Sequence, residues 1–260
     1  MRENHVKRAL KRGEAVIGTM ANEVKSPSLA QMCAAAGFDF LFIDTEHGTY
    51  SLAETAALIQ MCRQVGVVPL VRVPDLAYHL IARVLDAGAM GVMVPRIETA
   101  EQVEAMVSYA RYPPLGVRGS GGGGRSEYGL AGGSTAEMVE WLNNETLIVA
   151  QIERKAAIAN IEAIAGVPGL DACLIGPVDL SISLGVPGEM DHPLMQDAIQ
   201  RVVDACARRG IASGGHFSAE ALEYWWRRGM RMLMCNSDIG MLRAGCRQTV
   251  AHLRAFLEES

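Results

Sequence analysis

Short apolar runs recur along the chain, each separated from the next by an amphipathic stretch that usually closes on a glycine. The runs are Ala15–Met20, Phe38–Ile43, Val68–Val71, Met90–Val94, Leu147–Ile152, Leu170–Ile175, Ile211–Gly215 and Met230–Cys235. Gly13, Gly37, Gly66, Gly88, Gly166, Gly210 and Gly229 stand just before all but one of them. A glycine there can take the left-handed conformation that ends a helix and lets the chain turn back into a strand. The remaining run, Leu147–Ile152, follows a helix end and turn at Trp141–Glu145. Runs such as Leu-Phe-Ile, Val-Met-Val and Leu-Ile-Val-Ala do not alternate with polar residues, as expected of parallel strands covered on both faces.

Eight strand–helix units in 260 residues predict a single closed (β/α)8 TIM barrel spanning 1–260. An open doubly wound sheet would usually show a Gly-x-Gly-x-x-Gly turn after an early strand. After Ala15–Met20 the chain reads Ala-Asn-Glu-Val-Lys-Ser-Pro instead. Gly119–Gly124, between the fourth and fifth strands, is expected to be a loop insertion on the active face; it lacks the Lys-Ser/Thr ending of a nucleotide loop. From Ile239 to Ser260, Leu242, Cys246, Val250, Leu253 and Leu257 fall near helical spacing. That last amphipathic helix needs a partner, either the barrel wall or a neighbouring subunit.

Composition narrows the partners. Half the residues are hydrophobic and a fifth charged, the balance of a soluble globular chain. A net charge of -5 gives no footprint for nucleic acid or an anionic membrane, so a small molecule is expected. No stretch is apolar for the ~18 residues of a membrane span, and the charged start Met1–Ala15 lacks a signal-peptide core. A cytoplasmic protein follows. The six cysteines form no Cys-x-x-Cys pair and fit reduced core thiols.

In such barrels the working residues come from the C-terminal ends of strands. That rule selects Asn22, Asp44, His47, Arg72, Arg96, Gln151, Glu153, Asp179, His216, Asn236 and Asp238. Glu153 closes the fifth strand and Asp179 follows the sixth across a Gly-Pro turn. Each could cap the helix that follows it. Leaving the same edge of adjacent strands, ~5 Å apart, the two could instead converge on one hard cation. Gln151 shares a strand face with Glu153. Two carboxylates leave coordination positions for water or substrate, which suits magnesium, manganese or cobalt better than structural zinc.

The turn Gly176-Pro177-Val178-Asp179 offers free backbone amides to a carboxylate as it enters a helix. His47, with its ordinary pKa near 6.5, is the natural general base at neutral pH. Arg72 brings positive charge to the barrel mouth, either to pair with Asp44 or Glu153 or to stabilise an oxyanion. Asp86 sits at the end of a helix, where the macrodipole disfavours an anion, so it is expected to pair with a cation or histidine.

These residues, in this order, resemble the metal-dependent class II pyruvate aldolases of the HpcH/HpaI family, which cleave 4-hydroxy-2-oxoheptanedioate or 2-keto-3-deoxy sugar acids. The resemblance rests on Phe38-Asp-Phe-Leu-Phe-Ile-Asp-Thr-Glu-His47, Pro69-Leu-Val-Arg72, Val84-Leu-Asp-Ala-Gly-Ala89, Arg111-Tyr-Pro-Pro-x-Gly-x-Arg-Gly119, Gln151-Ile-Glu153 and Ile175-Gly-Pro-Val-Asp-Leu-Ser181. It implies that Glu153 and Asp179 hold the metal, and that Gln151 and the amides around Val178 and Asp179 position pyruvate. By the same resemblance Arg72 stabilises the enolate oxygen and His47 is the acid/base. Asp86 raises the basicity of that histidine across a subunit contact, and the last helix packs on a neighbour in a hexamer.

The chain departs from its relatives in its glycine-rich loop and at Gly214-Gly215-His216-Phe217, where many carry an apolar residue facing the aldehyde. His216 is therefore expected to contact the acceptor. No lysine lies at the inner end of a strand, consistent with chemistry that needs no Schiff base. An acyl-CoA lyase of the malyl or citramalyl kind, an oxaloacetate decarboxylase and a non-catalytic carboxylate-binding barrel are the alternatives.

Overall fold

The computed structural model describes residues 2–258 except 122 and 131, and leaves the side chains of 125, 126, 256 and 258 undescribed. Eight parallel strands close on themselves in chain order: β1 (Val16–Ala21), β2 (Phe40–Asp44), β3 (Val68–Arg72), β4 (Gly91–Val94), β5 (Leu147–Ile152), β6 (Ala172–Ile175), β7 (Ala212–His216) and β8 (Met232–Ser237). This is the (β/α)8 barrel that the sequence predicts, with helices between successive strands. Among the described residues no helix is long and apolar enough to cross a membrane.

Several strands begin later than the apolar runs suggest. Phe38, Ile211 and Met230 are apolar, yet their amides still bond back to the preceding helices, at Cys33 O, Cys206 O and Trp225 O. They close the helix end before the strand starts. The glycines beside them, Gly37, Gly210 and Gly229, have φ of 89°, 68° and 110°, as the turn requires. Gly166 is the exception: it ends its helix in the right-handed region, and Gly169, at φ 91°, makes the turn instead.

Alternate strand residues fill two separate cores. Leu41, Ile43, Val71, Val92, Ile148 and Cys173 face the helices, while Phe40, Phe42, Leu70, Met93, Val149, Leu174 and Met234 pack inside the barrel. Gly18 belongs to the inner set because the ring of Phe40 occupies its side-chain space: a Cβ there would lie 2.1 Å from Cε2. Below, the helix His5–Lys11 stoppers the N-terminal end with Val6 and Leu10. Four of the six cysteines are buried.

The glycine-rich loop does not lie on the active face. The helix Ala100–Ala110 intervenes between β4 and the loop, so the loop links two helices rather than leaving a strand. Gly119 N donates to Tyr78 Oη at 2.8 Å, and Gly123 and Gly124 rest on the carbonyls of Asp86 and Ala87 at the C-terminal end of the helix Tyr78–Asp86. Gly122, within that stretch, lies outside the described residues, as do the last two residues of the expected Ile239–Ser260 helix.

The last helix runs from Asp238 to Glu258. Ile239, Leu242, Val250, Leu253 and Leu257 along it are exposed.

Candidate active site

The two-residue period that sorts the cores also builds the site. Continuing the inner phase upward from Phe40 and Phe42 gives Asp44, from Val68 and Leu70 gives Arg72, and from Leu147 and Val149 gives Gln151 and then Glu153. The same phase delivers Gly176 just past the end of β6 and His216 at the end of β7. Polar side chains thus cap the inward columns at the C-terminal mouth. Asp44 and Arg72 are themselves the last residues of β2 and β3 and register partners.

That register makes a two-pronged ion pair. Arg72 Nε donates to Asp44 Oδ1 at 2.9 Å and Nη2 to Oδ2 at 2.6 Å. Asp44 has no exposed surface and also accepts from Asn22 Nδ2 and from the amides of Glu46 and His47. Burial pushes its carboxyl up, but the Arg72 hydrogen bonds and charge outweigh it and hold the group below the usual carboxylate range. The remaining terminal nitrogen of Arg72, Nη1, reaches Gln151 Oε1 at 3.4 Å and lies 3.3 Å from Glu46 Oε2.

Glu153 neither caps a helix nor reaches Arg72. Its Oε1 accepts from Arg96 N at 2.7 Å and its Oε2 from the Gln151 side-chain amide, with 4% of the residue exposed. The following helix is Lys155–Ala159, with no side-chain cap. Asp179 is likewise no cap: the helix starts at Pro177, two residues earlier, with Gly176 as the N-cap. Because Ile152 pairs with Ile175, Glu153 lies across from Gly176. A Cβ on Gly176 would sit 2.8 Å from Glu153 Oε2 and 2.9 Å from Gln151 Nε2, so only glycine leaves this space open.

A cavity of about 260 Å³ opens above this layer, lined by Arg72, Gln151, Gly176, Pro177, Val178, Asp179 and His216 over a floor of Met20, Met93, Leu174 and Met234. The first backbone bond of the 177–183 helix runs from Leu180 N to Gly176 O, so the amides of Val178 and Asp179 precede the hydrogen-bond ladder. His216 Nε2 lies 2.8 Å from Asn236 O. Burial pushes this imidazole below its usual pKa, against the pull of that carbonyl, with Arg72 adding to the depression.

Among the described residues, no three His, Cys, Asp or Glu side chains gather into a metal cluster. The available donor set is the pair Glu153 and Asp179. Burial holds the Glu153 carboxyl above its usual value, opposed by the Arg96 N–H and reinforced by the negative charges of Asp179 and Glu46. A hard cation between the two carboxylates would relieve that repulsion, and oxygen donors with an open cavity beside them suit an ion that keeps other positions for water or substrate. The residues therefore fit a divalent cation.

His47, Asp86 and Asp238, also singled out from the sequence, lie apart from this layer. The His47 side chain is 68% exposed at the rim, its Nε2 3.9 Å from Glu46 Oε2. Asp86 ends the helix Tyr78–Asp86, and within the chain it pairs with Arg118 Nη2 at 2.8 Å, which supplies the cation its helix position calls for. Asp238 accepts from the amides of Asn22, Glu23 and Val24 and so anchors the loop after β1.

Sequence reasoning gave no role to Glu46, although it lies inside the Asp-Thr-Glu-His run; its side chain is 7% exposed between Arg72 and Arg96. The backbone donor of Arg96 carried no sequence signal, because any residue but proline has one.

Comparison with known proteins identifies the family. Residues 22–241 match the family described as HpcH/HpaI aldolase/citrate lyase. The 4-hydroxy-4-methyl-2-oxoglutarate aldolase cghB of Chaetomium globosum is 36% identical over 239 residues, covering 88% of this chain and 88% of that protein. The hydroxypyruvate/pyruvate aldolase of Chromohalobacter salexigens is 34% identical, over 86% of this chain and 88% of its own. Among solved structures, an HpcH/HpaI aldolase from Desulfitobacterium hafniense DCB-2 superposes with a TM-score of 0.90 at 35% identity, covering 95% of this chain and 96% of that one. The chain belongs to the HpcH/HpaI aldolase/citrate lyase family and is an aldolase, a carbon–carbon lyase.

Proposed function

We propose that the protein is a metal-dependent, pyruvate-specific aldolase that reversibly cleaves a 4-hydroxy-2-oxo acid to pyruvate and an aldehyde. The observation that carries the reading is Arg72: Asp44 fixes two of its nitrogens, and Nη1 stands beside Gln151 in the cavity that Asp179 also lines. Glu153 and Asp179 would hold a magnesium, manganese or cobalt ion, which when bound supplies Lewis acidity toward the 2-oxo acid.

The side chains then divide the work. Gln151 and the amides of Val178 and Asp179 bind and orient the 2-oxo acid, over a floor whose methionines exclude water. From the rim, and through a water, His47 takes the proton of the 4-hydroxyl as the C4 carbonyl forms and the C3–C4 bond breaks. The electron pair moves onto the 2-oxo oxygen, where Arg72 Nη1 donates to the developing charge, and a proton returned to C3 completes pyruvate. His216, on the rim of the same cavity, faces the departing aldehyde.

Two features are proposed for the assembly. Asp86, whose side chain is 34% exposed, would reach the histidine corresponding to His47 in a neighbouring copy. The exposed apolar face of the 238–258 helix would pack on a neighbour in a hexamer. A cytoplasmic location is proposed on the free cysteines.

Metal-stripped protein reloaded with manganese or magnesium is expected to exchange the methyl protons of pyruvate for deuterium, and to lose this with chelator or with Glu153→Gln. Turnover of malyl- or citramalyl-CoA without pyruvate exchange would replace the reading with a lyase. Neither activity would leave a carboxylate-binding barrel.

A further inference from the structure

Arg96 stands where a glycine would be easier. Its φ is 56°, in the left-handed region, just past the end of β4. Side chains rarely tolerate that conformation, and where one persists the surroundings must hold it there. The conformation has a visible result: two successive amides both face the exit of β5. Arg96 N donates to Glu153 Oε1 at 2.7 Å, and Ile97 N to Gln151 O at 3.3 Å.

Glycine could supply that backbone but not the side chain. The Arg96 guanidinium hydrogen-bonds the Glu46 carboxylate and donates from Nη2 to Pro74 O at 2.6 Å. Glu46 in turn lies 3.3 Å from Arg72 Nη1, the nitrogen that Asp44 leaves free. One residue thus touches both halves of the site, Glu153 through its backbone and Arg72 through Glu46.

We infer that Arg96 is a positioning residue, whose left-handed backbone aims Glu153 for metal binding and whose guanidinium, through Glu46, sets Nη1 of Arg72 against the substrate oxygen. The two arms are separable by substitution, because one depends on φ and the other on the side chain. The inference rests on the proposed metal-dependent aldolase reading.

Four single variants, Arg96→Gly, Arg96→Val, Arg96→Lys and Glu46→Gln, and the double variant Arg96→Gly/Glu46→Gln test it, each checked for folding by circular dichroism. Manganese binding, followed by the electron paramagnetic resonance of free Mn²⁺, needs no turnover and reads the backbone arm. Arg96→Gly should bind within about threefold of wild type, whereas Arg96→Val, which a β-branched residue drives out of the left-handed region, should bind about 10- to 100-fold more weakly. Arg96→Ala takes its place if the valine variant does not fold. Equal affinity for the glycine variant and the branched or alanine one would overturn this arm.

Turnover reads the other arm. Arg96→Gly and Glu46→Gln should each lower kcat by about 10- to 100-fold with little change in KM, the double variant should be no worse than either, and Arg96→Lys should recover part of the loss. Unchanged kcat in Arg96→Gly, or additive losses in the double variant, would overturn it. If wild type binds manganese but exchanges no pyruvate protons, the aldolase reading fails while the binding comparison still judges the backbone arm.

Discussion

Asp44 is the residue on which the geometry of the mouth turns. It is fully buried, and its carboxylate stays charged because Arg72 lies against both oxygens. Its folded pKa is depressed, so its contribution to stability is present above the unfolded value, ~3.9, and is lost as pH falls through the folded one. Asp44→Asn leaves Arg72 buried against a neutral amide and is expected to cost about 3–5 kcal/mol. Urea denaturation measures it, and the variant's stability should also fall less steeply below pH 4 than that of wild type, roughly the range in which the carboxylate titrates. A change below 1 kcal/mol, roughly the worth of an exposed pair, would contradict the buried-pair account. His216 governs a different property. A carbonyl can only accept, so Nε2 donates to Asn236 O, and the neutral ring favoured by its depressed pKa is left with Nδ1 as an acceptor. His216→Leu should therefore shift the ratio of kcat/KM between hydroxylated and plain aldehydes toward the plain ones, and an unchanged ratio would remove His216 from acceptor recognition.

At the scale of elements, the glycine punctuation was legible because the helix stop needs a positive φ, and Gly37, Gly66, Gly88, Gly210 and Gly229 all have one. Strand starts were less legible, since Phe38, Ile211 and Met230 serve the helix end while reading as strand. The glycine-rich loop was misplaced for a related reason. Counting strands put it between the fourth and fifth, but a whole helix carries the chain away from the mouth before the loop begins. The last helix is the element least satisfied within one chain. Beside its first turns, a cavity of about 450 Å³ lined by Leu29, Met32, Cys33, Phe38, Met241 and Leu242 is almost wholly apolar, and further along Val250 and Leu253 lie exposed. Charged substitutions there, such as Leu253→Glu, are expected to lower the oligomer mass seen by light scattering without unfolding the barrel. An unaltered mass would reject packing of this face on a neighbour.

For the whole molecule, the two ends of the barrel have opposite tasks. At the lower end Lys7 is buried, donating to Thr146 O at 2.7 Å and to Asp171 at 2.9 Å, and burial draws its pKa down to about 8. A lysine so depressed is the kind that forms Schiff bases elsewhere, yet it lies beneath the starts of β5 and β6, a full strand length from the cavity. At the upper end charges of both signs meet, and the barrel leaves glycine at Gly176 to keep space open. By itself the sequence determined the eight-unit barrel and most of the residues at its mouth, because strand period, helix stops and the placement of polar residues after apolar runs are local properties written along the chain. Only the tertiary structure decided which of those residues meet. The register of β2 on β3 joined Asp44 to Arg72, that of β5 on β6 set Glu153 against Gly176, and the left-handed turn at Arg96 brought a backbone donor to Glu153. Such pairings depend on strand stagger and backbone direction, which no single segment encodes.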